Sequence, residues 1–418
     1  MVDVVDAASS RTGRTGRTGR TGRRVTLLTA QVLNSTTNLA VSLLLSHSLA
    51  SSGFGVVALI QSIALIGLAL SRGLAVESSL FDNASSLTQR MSRAIGGATL
   101  VAAVLLGACA AIGLALGRVA VVVALALAIG SAVACAQDAA RSSLLVADRA
   151  DQMLRSDLSW AIAQVVVTVA LVGVGTGIPI AAAVGWAAGG VAALVSARRS
   201  TRAAGAVPRA DFPTMRFGLA WGLEFAVAVS TLQLTLIVVA AFGGLDDAGA
   251  IRGAVVLTGP ATLLLAAAHQ IGVVRFSNEA MPSDHRLVSA ARRFGLVAAV
   301  LALACTVPLL AIPDSLGTTL LGPTWSATRA VLPWLVLQRA AVSFAEGPQL
   351  ALRRLGVRWA SLWFRVGLTT IVCLGAAAAT TLDGVGAACA VLATGGLAAA
   401  VFWDRLVRRN IVISPEGT

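Results

Sequence analysis

Lysine is absent from the sequence, so all 32 basic residues are arginine. That excludes a Walker A phosphate loop, which needs its lysine, and any Schiff-base chemistry. Tyrosine is absent as well, which leaves the eight tryptophans to form an interfacial aromatic belt. The three histidines, His47, His269 and His285, are scattered. The five cysteines, Cys109, Cys135, Cys305, Cys373 and Cys389, all lie in apolar runs with no CxxC or Cys/His spacing. They read as small core residues, so no zinc site, disulfide or cofactor is expected. Charge itself is scarce: 12% of residues are charged, against about 25% in a soluble globular protein. The deficit points to a membrane protein.

What remains is apolar. The chain is 57% hydrophobic and has a mean hydropathy of +0.84. Its apolar segments are continuous and helix-length, which excludes an outer-membrane barrel of alternating strands. The fold class expected is an all-α polytopic membrane protein. Twelve spans emerge, at about 25–47, 54–76, 94–116, 119–146, 157–175, 178–197, 217–242, 249–274, 294–312, 328–350, 361–381 and 384–404. Residues 1–24 carry a tandem Arg-Thr-Gly repeat and no apolar periodicity, the composition of a disordered basic arm. Arg23-Arg24 ahead of Val25-Thr26-Leu27-Leu28 resembles a twin-arginine signal, and Ser48-Leu49-Ala50 a cleavage site. Gln31, Asn34 and Asn38 inside that run, and the spans that follow it, point instead to an uncleaved first span.

The net charge of +13 is distributed as the positive-inside rule requires, not as a nucleic-acid surface. With the amino terminus inside, inner loops and tails hold 25 of the arginines, and the outer loops only Arg118 and Arg329. Both termini are therefore expected on the cytoplasmic side of the plasma (inner) membrane, where the basic arm meets anionic lipid. The longest inner linker, 198–216, separates a first bundle, 25–197, from a second, 217–404, with a tail at 405–418. Weak self-similarity links the halves. Gln137-Asp138 on to Asp157 aligns at constant offset with Ala345-Glu346 on to Arg365, so Asp138 and Glu346 become symmetry mates. An even number of spans per half makes the repeats parallel.

Charges inside the spans are the functional candidates, because each is costly in lipid and normally faces protein or a wet cavity. Asp138 and Arg141 stand at i and i+3 on one face of the run Val119 to Val146. They form either an internal salt bridge or a cavity wall. Arg72, Arg141 and Arg339 are the candidates for an anionic substrate, since the guanidinium fork is always charged and binds phosphate bidentately. Asp138, Glu346 and Glu224 accompany them in the inner half of the membrane. The competing assignments pair Arg141 with Asp138 and Arg339 with Glu346, and let Arg72 snorkel to the headgroups. Glu77, Asp157 and Arg365 are read as ordinary interfacial charges, and Arg252 as lying near the outer surface. Asn34 and Asn38 in the first span and Gln61 in the second either bind hydroxyl-rich ligands or glue helices together. No acid occurs from Val25 to Val76, which argues against a cation site in the first two spans. The outer pair Asp246-Asp247 sits in too short a loop for an enzyme's acidic site and reads as a hairpin turn.

Several ordered motifs resemble polysaccharide flippases of the multidrug/oligosaccharidyl-lipid/polysaccharide exporter superfamily, of the actinobacterial type. They run from Asn38-Leu39-Ala40-Val41-Ser42-Leu43-Leu44 through Gly53-Phe54-Gly55-Val56-Val57-Ala58-Leu59 to Ser71-Arg72-Gly73. Gln137-Asp138-Ala139-Ala140-Arg141 is similar to the fourth-span signature and Ser156 to Gln164 to the fifth-span entry. Gly249 to Ala254 with Gly259-Pro260 resembles the eighth span, and Leu320-Leu321-Gly322-Pro323-Thr324-Trp325 the loop before the tenth. The resemblance covers about residues 25–404. It implies two six-helix bundles around a central cavity and alternating access. It also implies a polyprenyl-pyrophosphate-linked glycan as substrate, polysaccharide-assembly enzymes as partners and a monomeric transport unit, not an enzyme. A cation-coupled drug antiporter of the same superfamily and a non-transporting scaffold of a glycan-assembly complex are the alternatives.

Overall fold

The computed structural model describes residues 12–77, 87–146, 149–203, 219–262, 265, 272, 284–355, 357 and 359–412. Among them there is no strand. With no water in the hydrocarbon to satisfy backbone N–H and C=O groups, a polytopic apolar chain closes its hydrogen bonds within helices.

The first bundle comprises α1 (Thr12–Ser48), α2 (Ser51–Leu70), α3 (Leu87–Leu116), α4 (Val121–Val146), α5 (Ala150–Gly173) and α6 (Ile178–Ala203). The second comprises α7 (Leu219–Phe242), α8 (Leu245–Leu257), α9 (Asp284–Thr306), α10 (Trp325–Arg354), α11 (Trp359–Asp383) and α12 (Val385–Val412). A short helix, Asp314–Leu321, lies between α9 and α10. Nine of these helices are long and apolar enough to cross a membrane; α1, α8 and α10 fall outside that set. The reasons are local. α1 carries Gln31, Asn34 and Asn38 within its apolar stretch, α8 has 13 residues, and α10 carries Arg329, Arg339 and Glu346.

Each expected span corresponds to a helix, with two differences. α1 begins at Thr12, so part of the arm expected to be disordered is helical. The apolar helix from Val25 onward is a ready nucleus, and residues added ahead of it meet only the propagation cost. The expected eighth span, 249–274, is interrupted: α8 stops at Leu257, and Thr258 forms a turn before Gly259-Pro260. Proline biases the preceding residue away from helical backbone and donates no hydrogen bond. Helical backbone resumes over residues 259–262, and most of the rest of that span, like most of the 198–216 linker, lies outside the described residues.

Within the first bundle α5 packs on α6, α3 on α4, α4 on α6, and α1 across α5 and α6. In the second, α10 is central and packs on α9, α12 and α8, while α11 bridges α7 and α12. The bundles meet through α2, which lies against both α7 and α8. Ala58 of α2 is fully buried in a cluster with Leu232 and Leu236 of α7, Ile251 of α8 and Leu335 of α10. Faces turned away from this core carry large apolar side chains, such as Val169 at 65% and Ile371 at 68% exposure. That is the arrangement a bilayer solvates.

Candidate functional site

In the first bundle two arginines find acids across helices. Beyond α2 the chain forms a π turn, Ser71–Glu77, whose wider winding is a frequent setting for functional side chains. From it Arg72 reaches α4. Its Nε donates to Asp138 Oδ2 at 2.6 Å, and its second nitrogen donates to Oδ1. The Arg72 side chain is 39% exposed, and the π turn packs on α7 of the other bundle. One turn further along α4, Arg141 Nε donates to Asp157 Oδ2 of α5 at 3.0 Å. Gln137 donates to Ser156 at 3.2 Å and to Asp157 Oδ1 at 3.3 Å.

The expected Asp138–Arg141 bridge is therefore replaced by two bridges that cross between helices. A short acid at i, i+3 cannot offer its own arginine the bidentate approach that a neighbouring helix can. Asp157, read as an interfacial charge, is 1% exposed. It lies inside the bundle because the first turns of α5 pack against α4 and α6.

In the second bundle Glu224 is 2% exposed. Ser361 Oγ donates to its Oε1 at 2.5 Å, and Trp403 Nε1 donates to Ser361 Oγ at 3.2 Å. Arg365 stacks over the Trp403 ring at 3.9 Å and lies in the electrostatic reach of Glu224 and Glu346. It too was expected at the interface and is 7% exposed. Its flat guanidinium is screened by an aromatic face, a contact worth about 2 kcal/mol when desolvated.

The second pair of arginines is different. Arg252 of α8, expected near the outer surface, is only 9% exposed. It lies in the electrostatic field of Arg339 from α10, and the Nε of each is buried without a hydrogen-bond acceptor. Neither has a hydrogen-bond or ion-pair partner among the described residues, so the Arg339–Glu346 bridge does not form. Two like charges thus lie in one another's field, with no acid paired to either among the described residues. α8 and α10 pack closely near Arg252, about three turns of α10 ahead of Arg339: Thr328 Oγ1 donates to the Ala250 carbonyl at 3.2 Å, and Gly253 lies against Thr328.

The amides separate into two groups. Asn38 donates to Asn34 Oδ1 at 2.9 Å and accepts from Trp186 Nε1 at 2.9 Å. Gln164 donates to the Thr37 carbonyl at 3.1 Å and accepts from Trp160 at 3.1 Å. Asn34 and Asn38 thus tie α1 to α6 and belong to the packing of the first bundle. Gln61 of α2 keeps a buried Oε1 with no donor, as do Gln233 of α7 and Gln338 of α10. Sequence reasoning missed Gln233, Gln338 and the role of Arg252. The motif Gly249-Ala250-Ile251-Arg252-Gly253 carried the signal: two glycines flank Arg252 and allow close approach of a neighbour. Outside the spans, Trp325 and then Arg329 donate to Asp314 and hold its carboxyl below its usual value.

No protein-family model and no curated protein sequence matches the chain. Solved structures do. An inward-facing multidrug resistance MATE family transporter of the MOP superfamily superposes over 94% of this chain and 100% of its own, with 15% identity and a TM-score of 0.63. A MATE protein in complex with MaL6 is 14% identical over 93% of this chain and 95% of its own, with a TM-score of 0.60. An outward-facing MATE family transporter of the same superfamily gives 15% identity, 93% and 94% coverage, and a TM-score of 0.57. The chain has the fold of the MATE transporters of the MOP superfamily.

Proposed function

We propose that the protein is a transporter that carries a polyprenyl-(pyro)phosphate-linked oligosaccharide, or a related surface-polysaccharide precursor, from the inner to the outer leaflet by alternating access. The observation that carries this reading is the Arg252–Arg339 pair. A buried charge left without a partner is expensive, and two of one sign are worse. An anionic headgroup entering between α8 and α10 relieves both costs at once, and guanidinium forks suit phosphate oxygens. The lipid tail stays in the bilayer while the bundles rock around α2. Arg72 and Arg141, each already facing a carboxylate, position α4 and serve the substrate less directly. On this reading the amino and carboxyl termini face the cytoplasm, where such precursors are made.

Cation-coupled drug antiport is the second reading, favoured by the multidrug transporters among the structures that share the fold. Converging guanidinium groups oppose a cationic drug. The test is flipping of a fluorescent polyprenyl-pyrophosphate-linked saccharide in proteoliposomes. Arg252→Gln and Arg339→Gln should each slow it at least tenfold, the scale of about 1.5–3 kcal/mol for a charge-assisted contact. Wild-type rates in both variants, or proton-driven export of a cationic dye by the unaltered protein, would overturn the proposal.

A further inference from the structure

α10 and α12 leave a groove of about 600 Å³ between them, on the side of the second bundle remote from α2. One wall is a single stripe of α10: Leu337, Ala340, Ala341 and Phe344. The other is a stripe of α12, with Leu397, Ala400 and Val401 leading to Asp404, Arg405 and Arg408. The spacings of three and four residues put each set on one helix face. From Leu397 to Arg408 the groove runs eleven residues, or about 16 Å of helix. One leaflet of a roughly 30 Å hydrocarbon core is about 15 Å deep. The volume is that of a ligand site.

The end of the groove is cationic. Asp404 accepts from Arg292 of α9 at 2.6 and 2.8 Å, and from Arg408 one turn along α12. This single acid thus answers two arginines. Arg405 is exposed and has no hydrogen-bond or ion-pair partner among the described residues. Three guanidinium groups therefore meet one carboxylate at the mouth of an apolar trough. The most buried apolar lining is alanine, Ala341 at 4% and Ala400 at 6% exposure, small side chains that leave the room between the two helices.

We propose that this groove holds one anionic phospholipid of the surrounding bilayer. Its phosphate lies on Arg405 and Arg408, and an acyl chain lies along Leu337, Phe344, Leu397 and Val401. The bound lipid braces α12 against α10, the helix that carries Arg339. A zwitterionic lipid fits less well, because its own ammonium competes with the arginines for the phosphate.

Native mass spectrometry of the full chain, with equal phosphatidylglycerol and phosphatidylcholine, tests this. One phosphatidylglycerol should be retained, and Arg405→Gln should weaken its retention about tenfold. Ala340→Phe fills the trough without changing charge and should weaken retention of both lipids. Arg118→Gln, on an outer loop, should change nothing. Millimolar inorganic phosphate should not displace the lipid, since the chain contributes to binding. Wild-type retention in both groove variants overturns the proposal. So does displacement by an equimolar polyprenyl phosphate, which would assign the groove to a transported lipid, or displacement by phosphate alone. Arg252 and Arg339 do not line this groove, so the reading of that pair is tested separately by the flipping rates of its own variants.

Discussion

At the residue scale, sequence spacing picks out the charges inside the spans and leaves their partners open. Asp138 and Arg141 share a helix face, so an in-helix pair was the natural expectation. Packing instead supplies each with a better-oriented partner on another helix: Arg72 for Asp138 and Asp157 for Arg141. No one-dimensional pattern contains that information, because the partners lie 66 and 16 residues away. Asp157 shows the same limit from the other side. Its place near the start of a span suggested an interface, yet α4 and α6 cover it. Removing this acid takes away the buried carboxylate to which the Arg141 Nε donates, so Asp157→Asn should destabilise the protein by about 3 kcal/mol. Arg141→Met combined with Asp157→Leu should recover much of the loss, because a buried pair replaced by apolar residues of similar volume is often nearly neutral. Thermal unfolding of the detergent-solubilised protein measures both. Equal stability of wild type and Asp157→Asn would show that the bridge contributes nothing.

At the scale of elements, helix positions were legible from apolar length, and the way the helices approach one another was not. The expected span starts near 54, 119 and 361 rest on hydropathy alone, and helices begin close by at Ser51, Val121 and Trp359. What hydropathy does not show is that Gly55 of α2 lies directly against the Leu245 carbonyl at the start of α8, where an added Cβ meets backbone. A flexible side chain could yield at such a point; a carbonyl cannot. Gly55→Val should therefore part the outer ends of the bundles, at about 1–3 kcal/mol in stability for overpacking, and should lower transport with it. Gly107 of α3 is the control, because a Cβ there has nothing within 4 Å. Gly107→Val should stay within a few tenths of a kcal/mol of wild type, on the stabilising side, because valine has the higher helix propensity. If the two variants melt alike, the contact between α2 and α8 is not close in the working protein.

At the scale of the whole molecule, the short connections expected on the outer side share one device. Among the described residues, the glycines of positive φ are Gly117, Gly175, Gly244, Gly322 and Gly384, and they stand in these connections. Left-handed backbone at a helix end lets glycine stop the helix and turn the chain at once. The arginines gather in the loops of the other side. The halves also echo one another in charge. The offset that aligns Asp138 with Glu346 aligns Asp157 with Arg365. Both of the latter are buried, on α5 and α11, with opposite sign. Asp157 is ion-paired with Arg141, whereas Arg365 stacks on Trp403.

A transport cycle of the kind proposed requires the outer contact between bundles to open. Ser52 lies one turn above Gly55 on the same face of α2, and Asp246 adjoins Leu245, whose carbonyl Gly55 touches. In a background with the five native cysteines replaced, Ser52→Cys and Asp246→Cys can be joined by a short, cleavable bifunctional thiol reagent. Joining them should arrest flipping in proteoliposomes, and cleaving the reagent should restore it. Either cysteine alone, treated in the same way, should leave the rate unchanged. A protein that flips its substrate with α2 and α8 tied together at this end would not work by parting its bundles there. The buried arginines would then have to release their anion by a route that leaves the outer contact closed.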